Sequence, residues 1–271
     1  MTGSDDKGGV HVDLGLQGKT AIITGGSKGI GLAAAIALAA EGAQVSIVAR
    51  ELDSIQKAAQ LILEKTGMEA LTIAADVSEE KTAQYVVEQV NDRFGGVDIL
   101  INNAGTSAAH PFEDVSTDMW DADLDLKLFG AIHFSKAVVP HMRKRGGGAI
   151  LNVTAIGGKT PSVSSIPTSV SRAAGLALTK ALSKDLASNN IRVNAVCIGL
   201  IQSDQIERAW RSTSPELTWE QFATDPRHSI PLGRIGQAEE AAKVITFLVS
   251  EASSYVTGTS VNIDGGKSPV L

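Results

Sequence analysis

Short runs rich in Val, Ile and Leu alternate along this chain with longer Ala- and Leu-rich stretches. The short runs are KTAIITG (19–25), AQVSIVA (43–49), EALTIAAD (69–76), VDILINN (97–103), GAILNVT (148–154), IRVNAVCIG (191–199) and TSVNID (259–264). Their apolar positions are nearly continuous instead of alternating, so each predicts a strand covered on both faces. The longer stretches, at 30–42, 52–67, 79–96, 117–145, 168–188 and 237–251, carry apolar residues at helical spacing, and several stop at glycine. This alternation predicts an α/β protein: a single-domain Rossmann fold, a doubly wound parallel sheet of about seven strands with helices on both faces. No repeat or linker divides it, so residues 16–271 read as one domain and 1–15 as a flexible leader. Residues 200–232, with Trp210, Trp219 and three prolines, break the rhythm just after the sixth strand. An excursion there is placed to cover the sheet edge where such folds bind ligands, so it is expected to be a substrate lid.

Charge and composition narrow the partners. A net charge of −6 disfavours a nonspecific nucleic-acid or anionic-membrane surface. No window reaches the ~18 apolar residues of a membrane span. The first residues hold no apolar secretory segment, and the expectation is a cytoplasmic protein. The single cysteine, Cys197, excludes an intrachain disulfide and reads as a small buried hydrophobe in VNAVCIGL. His11, His110, His133, His141 and His228 form no HExxH-like spacing, so no metal is expected.

The chemistry enters at TGGSKGIG, residues 24–31. Gly25, Gly29 and Gly31 permit a tight turn and close approach of backbone to a pyrophosphate. They follow a strand and open a helix, whose free N–H groups and positive dipole end face the phosphates. At the end of the second strand stand Ala49 and Arg50, with no carboxylate to accept from an adenosine ribose hydroxyl, and Lys28 lies in the loop. Two cations suit a 2′-phosphate, which predicts NADP(H) over NAD(H).

With Asp76-Val77, NNAG at 102–105 and the closing VNIDGG, the chain resembles the classical short-chain dehydrogenase/reductase family over nearly all of residues 18–266. The resemblance implies that Gly25, Ser27, Lys28, Gly29, Ile30 and Gly31 cradle the dinucleotide, that Asp76 and Val77 border the adenine, and that Asn103, Ala104 and Gly105 line the adenosine ribose. It further implies that Gly199, Ile201 and Ser203 meet the nicotinamide end, and that homotetramers or homodimers form on the helices at 117–145 and 168–188.

The family's Asn-Ser-Tyr-Lys tetrad is where this sequence departs. Aligned by their flanks, the four positions fall on Lys127, Ala155, Thr168 and Arg172. An aliphatic hydroxyl starts several pKa units above a phenol, so Thr168 alone is a poor base. Arg172 keeps its proton yet still offers donors to a ribose. Three readings follow: an oxidoreductase of an unidentified carbonyl or alcohol, for which Trp210 and Trp219 hint at an apolar substrate, with a non-standard proton donor; a catalytically inactive NADP-binding subunit or sensor, including one paired with an active paralogue; or a lyase or isomerase in the same cleft. Lys127, Lys159, His110 and a water held by Thr168 and Ser169 are the candidate donors.

Overall fold

The computed structural model describes residues 12–271; most of the expected leader, including His11, lies outside them. Nine strands form: β1 (Thr20–Thr24), β2 (Gln44–Ala49), β3 (Leu71–Ala74), β4 (Ile99–Asn102), β5 (Ala109–His110), β6 (Gly148–Ala155), β7 (Ile166–Pro167), β8 (Ile191–Ile198) and β9 (Ser260–Ile263). Seven build one sheet in the order β3-β2-β1-β4-β6-β8-β9. Its pairings are all parallel. β5 and β7 form a separate antiparallel ribbon. The helices are α1 (Gly29–Ala40), α2 (Leu52–Thr66), α3 (Glu80–Phe94), α4 (Thr117–Leu124), α5 (Gly130–Lys144), α6 (Thr168–Asp185), α7 (Asp204–Thr213), α8 (Trp219–Ala223) and α9 (Ala238–Val249).

The continuous apolar runs have a simple cause. Successive residues of a strand point to opposite faces, and both faces here are packed. Ile23 lies in a core with Leu38 of α1 and Ile245 and Leu248 of α9. Its neighbour Ile22 lies in the other core, with Val86 of α3 and Phe134, Val138 and Met142 of α5. The doubly wound sheet of seven strands is thus as the sequence predicts, and Cys197 is fully buried in β8.

Three details differ from the sequence reading. The helix expected over 117–145 runs without interruption from Thr117 to Lys144 but widens at Asp125–Phe129 into a turn with i→i+5 bonding. The region 200–232 is not irregular throughout but contains α7 and α8. Leu14, assigned to the leader, accepts a hydrogen bond from Glu251 N–H (2.9 Å) and packs on the core, so the ordered domain begins earlier than residue 16.

Because β1 lies between β2 and β4, the direction of winding reverses there. The carboxyl ends of β1 and β4 therefore flank the crevice in which such sheets take ligands.

Candidate active site

At that crevice the NNAG segment is tied to the glycine loop. Asn103 Nδ2 donates to the carbonyls of Thr24 (3.0 Å) and Gly25 (3.1 Å). Thr24 Oγ1 accepts from the N–H groups of Asn103 (3.0 Å) and Ala104 (3.1 Å) and donates to Ile101 O (3.3 Å). Gly25 has φ +64, and a Cβ on Gly31 would lie 2.4 Å from Gly25 O. Only glycine fits these two positions without a shift. The first turn of α1 carries neither an acidic residue nor a side-chain cap, so its dipole end is open to an anion.

A cleft runs from this loop past the ends of β2 and β3, bounded by Gly25, Ser27, Lys28, Arg50, Asp76 and Val77 on one stretch and by Ala104 and Gly105 beyond. Asp76 Oδ1 accepts from Ser78 N–H (3.0 Å) and Ser78 Oγ (2.7 Å). Burial acts to raise the Asp76 pKa, but these bonds and the Arg50 charge outweigh it and hold the carboxyl below its ordinary value. Glu51 also borders the cleft, with its carboxylate turned to Ser54 Oγ (3.0 Å). Lys28 corrects the sequence reading in part: its ammonium pairs with Asp204 at the start of α7 (3.0 Å), both groups being exposed. Among the described residues Arg50, which lines the same cleft, makes no ion pair of its own.

Gly199, Ile201 and Ser203, expected at the nicotinamide end, lie between the end of β8 and the start of α7. Gly199 N–H donates to Ile263 O (2.9 Å), fixing the chain's exit from β8. Ile201 buries its side chain and its backbone bridges to Gly236. Ser203, expected to meet the carboxamide, caps α7 by accepting from Ile206 N–H (3.4 Å); its hydroxyl proton stays free to donate.

Ala155 ends β6, Thr168 opens α6, and Arg172 sits one turn further on. Arg172 is half-buried, with Nη1 donating to Val153 O (2.7 Å). Its Nη2 approaches Gly105, 2.9 Å from where a Cβ there would be. Burial pushes its pKa down, opposed by the charge of Asp123. Arg172 Nε is buried with no partner among the described residues, an N–H that a ribose hydroxyl would satisfy. With the glycine cradle, this orphan donor makes the site fit a nicotinamide dinucleotide.

Lys127 lies in the wide turn between α4 and α5, and its side chain is almost wholly buried. Its ammonium bonds Asp123, one turn earlier, and donates to Thr168 Oγ1 (2.8 Å). Ser171 Oγ donates to the other Asp123 oxygen (2.6 Å). Burial pushes the Lys127 pKa below its ordinary value; the Asp123 hydrogen bond and charge oppose this, and the Arg172 charge adds to it. Beside this cluster is a cavity of about 20 Å³, room for about one water, lined by Asn102, Lys127, Thr154, Ser171 and Arg172 among others. The structure thus brings together Lys127, Thr168 and Arg172, and adds Asp123, Ser171 and Thr24, which sequence reasoning missed. The Asp123–Lys127 spacing of four was the only available signal.

Of the other candidate donors Lys159 is engaged elsewhere, donating to Asn262 Oδ1 (2.7 Å) and Ser260 O (3.2 Å). His110 stands in the β5–β7 ribbon, which leads directly into Thr168, whose N–H donates to Ala108 O (3.2 Å). The two tyrosines, Tyr85 and Tyr255, are exposed. In the 200–232 region Trp210 and Trp219 meet edge-on at 5.6 Å, and Phe222 and His228 extend the cluster. These rings pack on one another, so they are not evidence of an apolar substrate. Among the described residues no three His, Cys, Asp or Glu side chains converge as a metal site, and no helix is long and apolar enough to cross a membrane.

Comparison with known proteins agrees with this geometry. The profile of a family described as enoyl-(acyl carrier protein) reductase matches residues 25–268. A 3-oxoacyl-acyl-carrier-protein reductase of Thermotoga maritima is 37% identical, over 93% of this chain and 98% of that protein. L-Sorbose reductase of Gluconobacter frateurii, solved with NADPH and L-sorbose, superposes with a TM-score of 0.92 at 35% identity, covering 96% of this chain and 100% of that one. A short-chain oxidoreductase of Pseudomonas aeruginosa PAO1, described as containing an atypical catalytic centre, gives 0.91 at 32% identity, covering 95% and 100%. It has also been solved with NADPH bound. The chain belongs to the classical short-chain dehydrogenase/reductase family and is an oxidoreductase of that type.

Proposed function

We propose that the protein interconverts a carbonyl and an alcohol with NADP(H), and that the Lys127–Thr168 pair handles the proton that family members pass through tyrosine. The observation that carries this reading is the 2.8 Å contact between Lys127 Nζ and Thr168 Oγ1 at the tetrad positions. When bound, the dinucleotide supplies or accepts hydride at its nicotinamide ring. In the reducing direction Thr168 Oγ–H donates its proton to the substrate oxygen, and Lys127 Nζ–H replaces it. Lys127 is left as a neutral amine, which burial and the Arg172 charge favour. Oxidation runs the same transfers backwards. Thr168 therefore never has to hold a negative charge, which removes the objection to an aliphatic hydroxyl. The NADPH-bound relatives support the choice of cofactor, and the atypical centre of the P. aeruginosa enzyme supports a departure from the usual tetrad.

The remaining assignments belong to the same reading. Arg50 takes the 2′-phosphate, Arg172 the nicotinamide ribose, and residues 200–232 close over the substrate. Homotetramers or homodimers form on α5 and α6, where Phe129 before α5 and Val170 on α6 expose apolar surface. Titration with both dinucleotides tests the cofactor: NADPH is expected to bind at least about tenfold tighter than NADH, since a charge-assisted bond is worth about 1.5–3 kcal/mol. Equal affinities would contradict it. Arg50→Ala is expected to weaken NADPH about 10–100-fold and to leave NADH nearly unchanged. A carbonyl and alcohol panel, followed by nicotinamide absorbance, tests the chemistry. Turnover is expected; tight binding without turnover would instead mark a noncatalytic subunit, and product formed without redox change a lyase or isomerase.

A further inference from the structure

Among the described residues the Asp123 carboxylate is the one acidic group bonded to the buried Lys127 ammonium. It is 4% exposed and both its oxygens are engaged, one by Lys127 and one by Ser171. Ser171 in turn is anchored on α6, where its hydroxyl also lies within hydrogen-bonding distance of Thr168 O (3.0 Å). The carboxylate therefore joins α4 to α6 and fixes where the lysine can point. The charged groups facing Lys127 are Asp123 from α4 and Arg172 from α6; the neutral hydroxyls are Thr168 and Ser171. Remove Asp123 and the buried Lys127 ammonium faces the Arg172 charge with no anion beside it.

We propose that Asp123 is the positioning residue of this site, holding the Lys127 ammonium on Thr168 and keeping it protonated until substrate arrives. The inference rests on the reductase reading above, because only a proton donor needs its charge preserved in this way. The wide turn after Leu124 serves the same end. It carries Lys127 one turn from Asp123 while letting its amine reach across to α6. Insertions of this kind recur at functional sites, where they re-aim a side chain.

Asp123→Asn keeps the shape and removes the charge. A donor must be protonated to work, so the rate of reduction falls as pH rises through the pKa of Lys127. An opposite charge at this range is worth about 1–3 pKa units. In Asp123→Asn the alkaline limb of kcat/KM for reduction is expected to move to lower pH by about that amount, with NADPH affinity within about twofold of wild type. A second readout needs no turnover: with ¹³Cε-labelled lysine, the apo protein's Lys127 resonance, identified by its loss in Lys127→Met, is expected to titrate at lower pH in Asp123→Asn. Ser171→Ala, which frees one carboxylate oxygen but keeps the charge, is expected to leave the titration within a few tenths of a unit of wild type while lowering kcat, and covers the case in which Asp123→Asn does not fold. A folded Asp123→Asn whose limb and resonance stay where wild type has them, or move up, would overturn the proposal. So would Ser171→Ala with wild-type kcat. If wild type reduces no carbonyl, the reductase reading falls, and the resonance still decides whether Asp123 sets the charge on Lys127.

Discussion

Replacing Lys127 with methionine is expected to lower kcat for carbonyl reduction by about 10²–10⁴-fold, the usual worth of a positioned general acid, with NADPH affinity little changed. The aliphatic chain of methionine follows that of lysine but carries no proton. Thr168 would then have no group to restore what it donates. The same substitution leaves Asp123 buried opposite Ser171 alone, and removing one partner of a buried pair costs about 3–5 kcal/mol. Loss of activity and loss of stability are thus expected together, and they can be separated. In Lys127→Met/Asp123→Asn the buried charge is gone. Stability in urea is expected to recover most of the difference while kcat stays low. Recovery of both would mean that Lys127 is a structural ion-pair partner and nothing more.

The second large effect is expected at Gly31. An alanine Cβ there would fall 2.4 Å from Gly25 O and 2.5 Å from Asn103 Nδ2. Neither neighbour can yield cheaply, because Asn103 Nδ2 already clamps the carbonyls of Thr24 and Gly25. The loop must open where the pyrophosphate sits. Overpacking of this kind costs about 1–3 kcal/mol, and if it falls on the cradle, Gly31→Ala weakens both NADPH and NADH about 10–100-fold. Arg50→Ala, by contrast, affects NADPH selectively. A Gly31→Ala protein that is folded by circular dichroism and binds NADPH as tightly as wild type would show that the glycine loop does not carry the dinucleotide.

The sheet was legible because each strand is buried on both faces, which writes itself as an unbroken apolar run such as AIIT or ILIN. The widened turn after α4 was not, because DLKLF contains neither glycine nor proline and keeps a helical pattern. Pro140, a familiar helix breaker, lies inside α5 without ending it. Local chemistry served where a feature is built from one stretch of chain: TGGSKGIG makes the tight turn that opens α1. It failed where partners are distant. Nothing in the sequence ties Lys28 to Asp204, 176 residues away, so Lys28 was read as a free cation. Asp123 stands among Asp118, Asp121 and Asp125, and only the fold shows that this one faces inward. Burial, which turns an ordinary i,i+4 pair into a charged cluster, is a property of the packed α4, α6 and β6, not of the spacing.

A structure of the protein with NADPH and a carbonyl ligand tests the central claim most directly. The account predicts the carbonyl oxygen within about 3 Å of Thr168 Oγ1, with Lys127 Nζ still bonded to that hydroxyl and Asp123 behind it. A phenol, imidazole or other amine at the carbonyl oxygen, with Thr168 and Lys127 turned away, would contradict it.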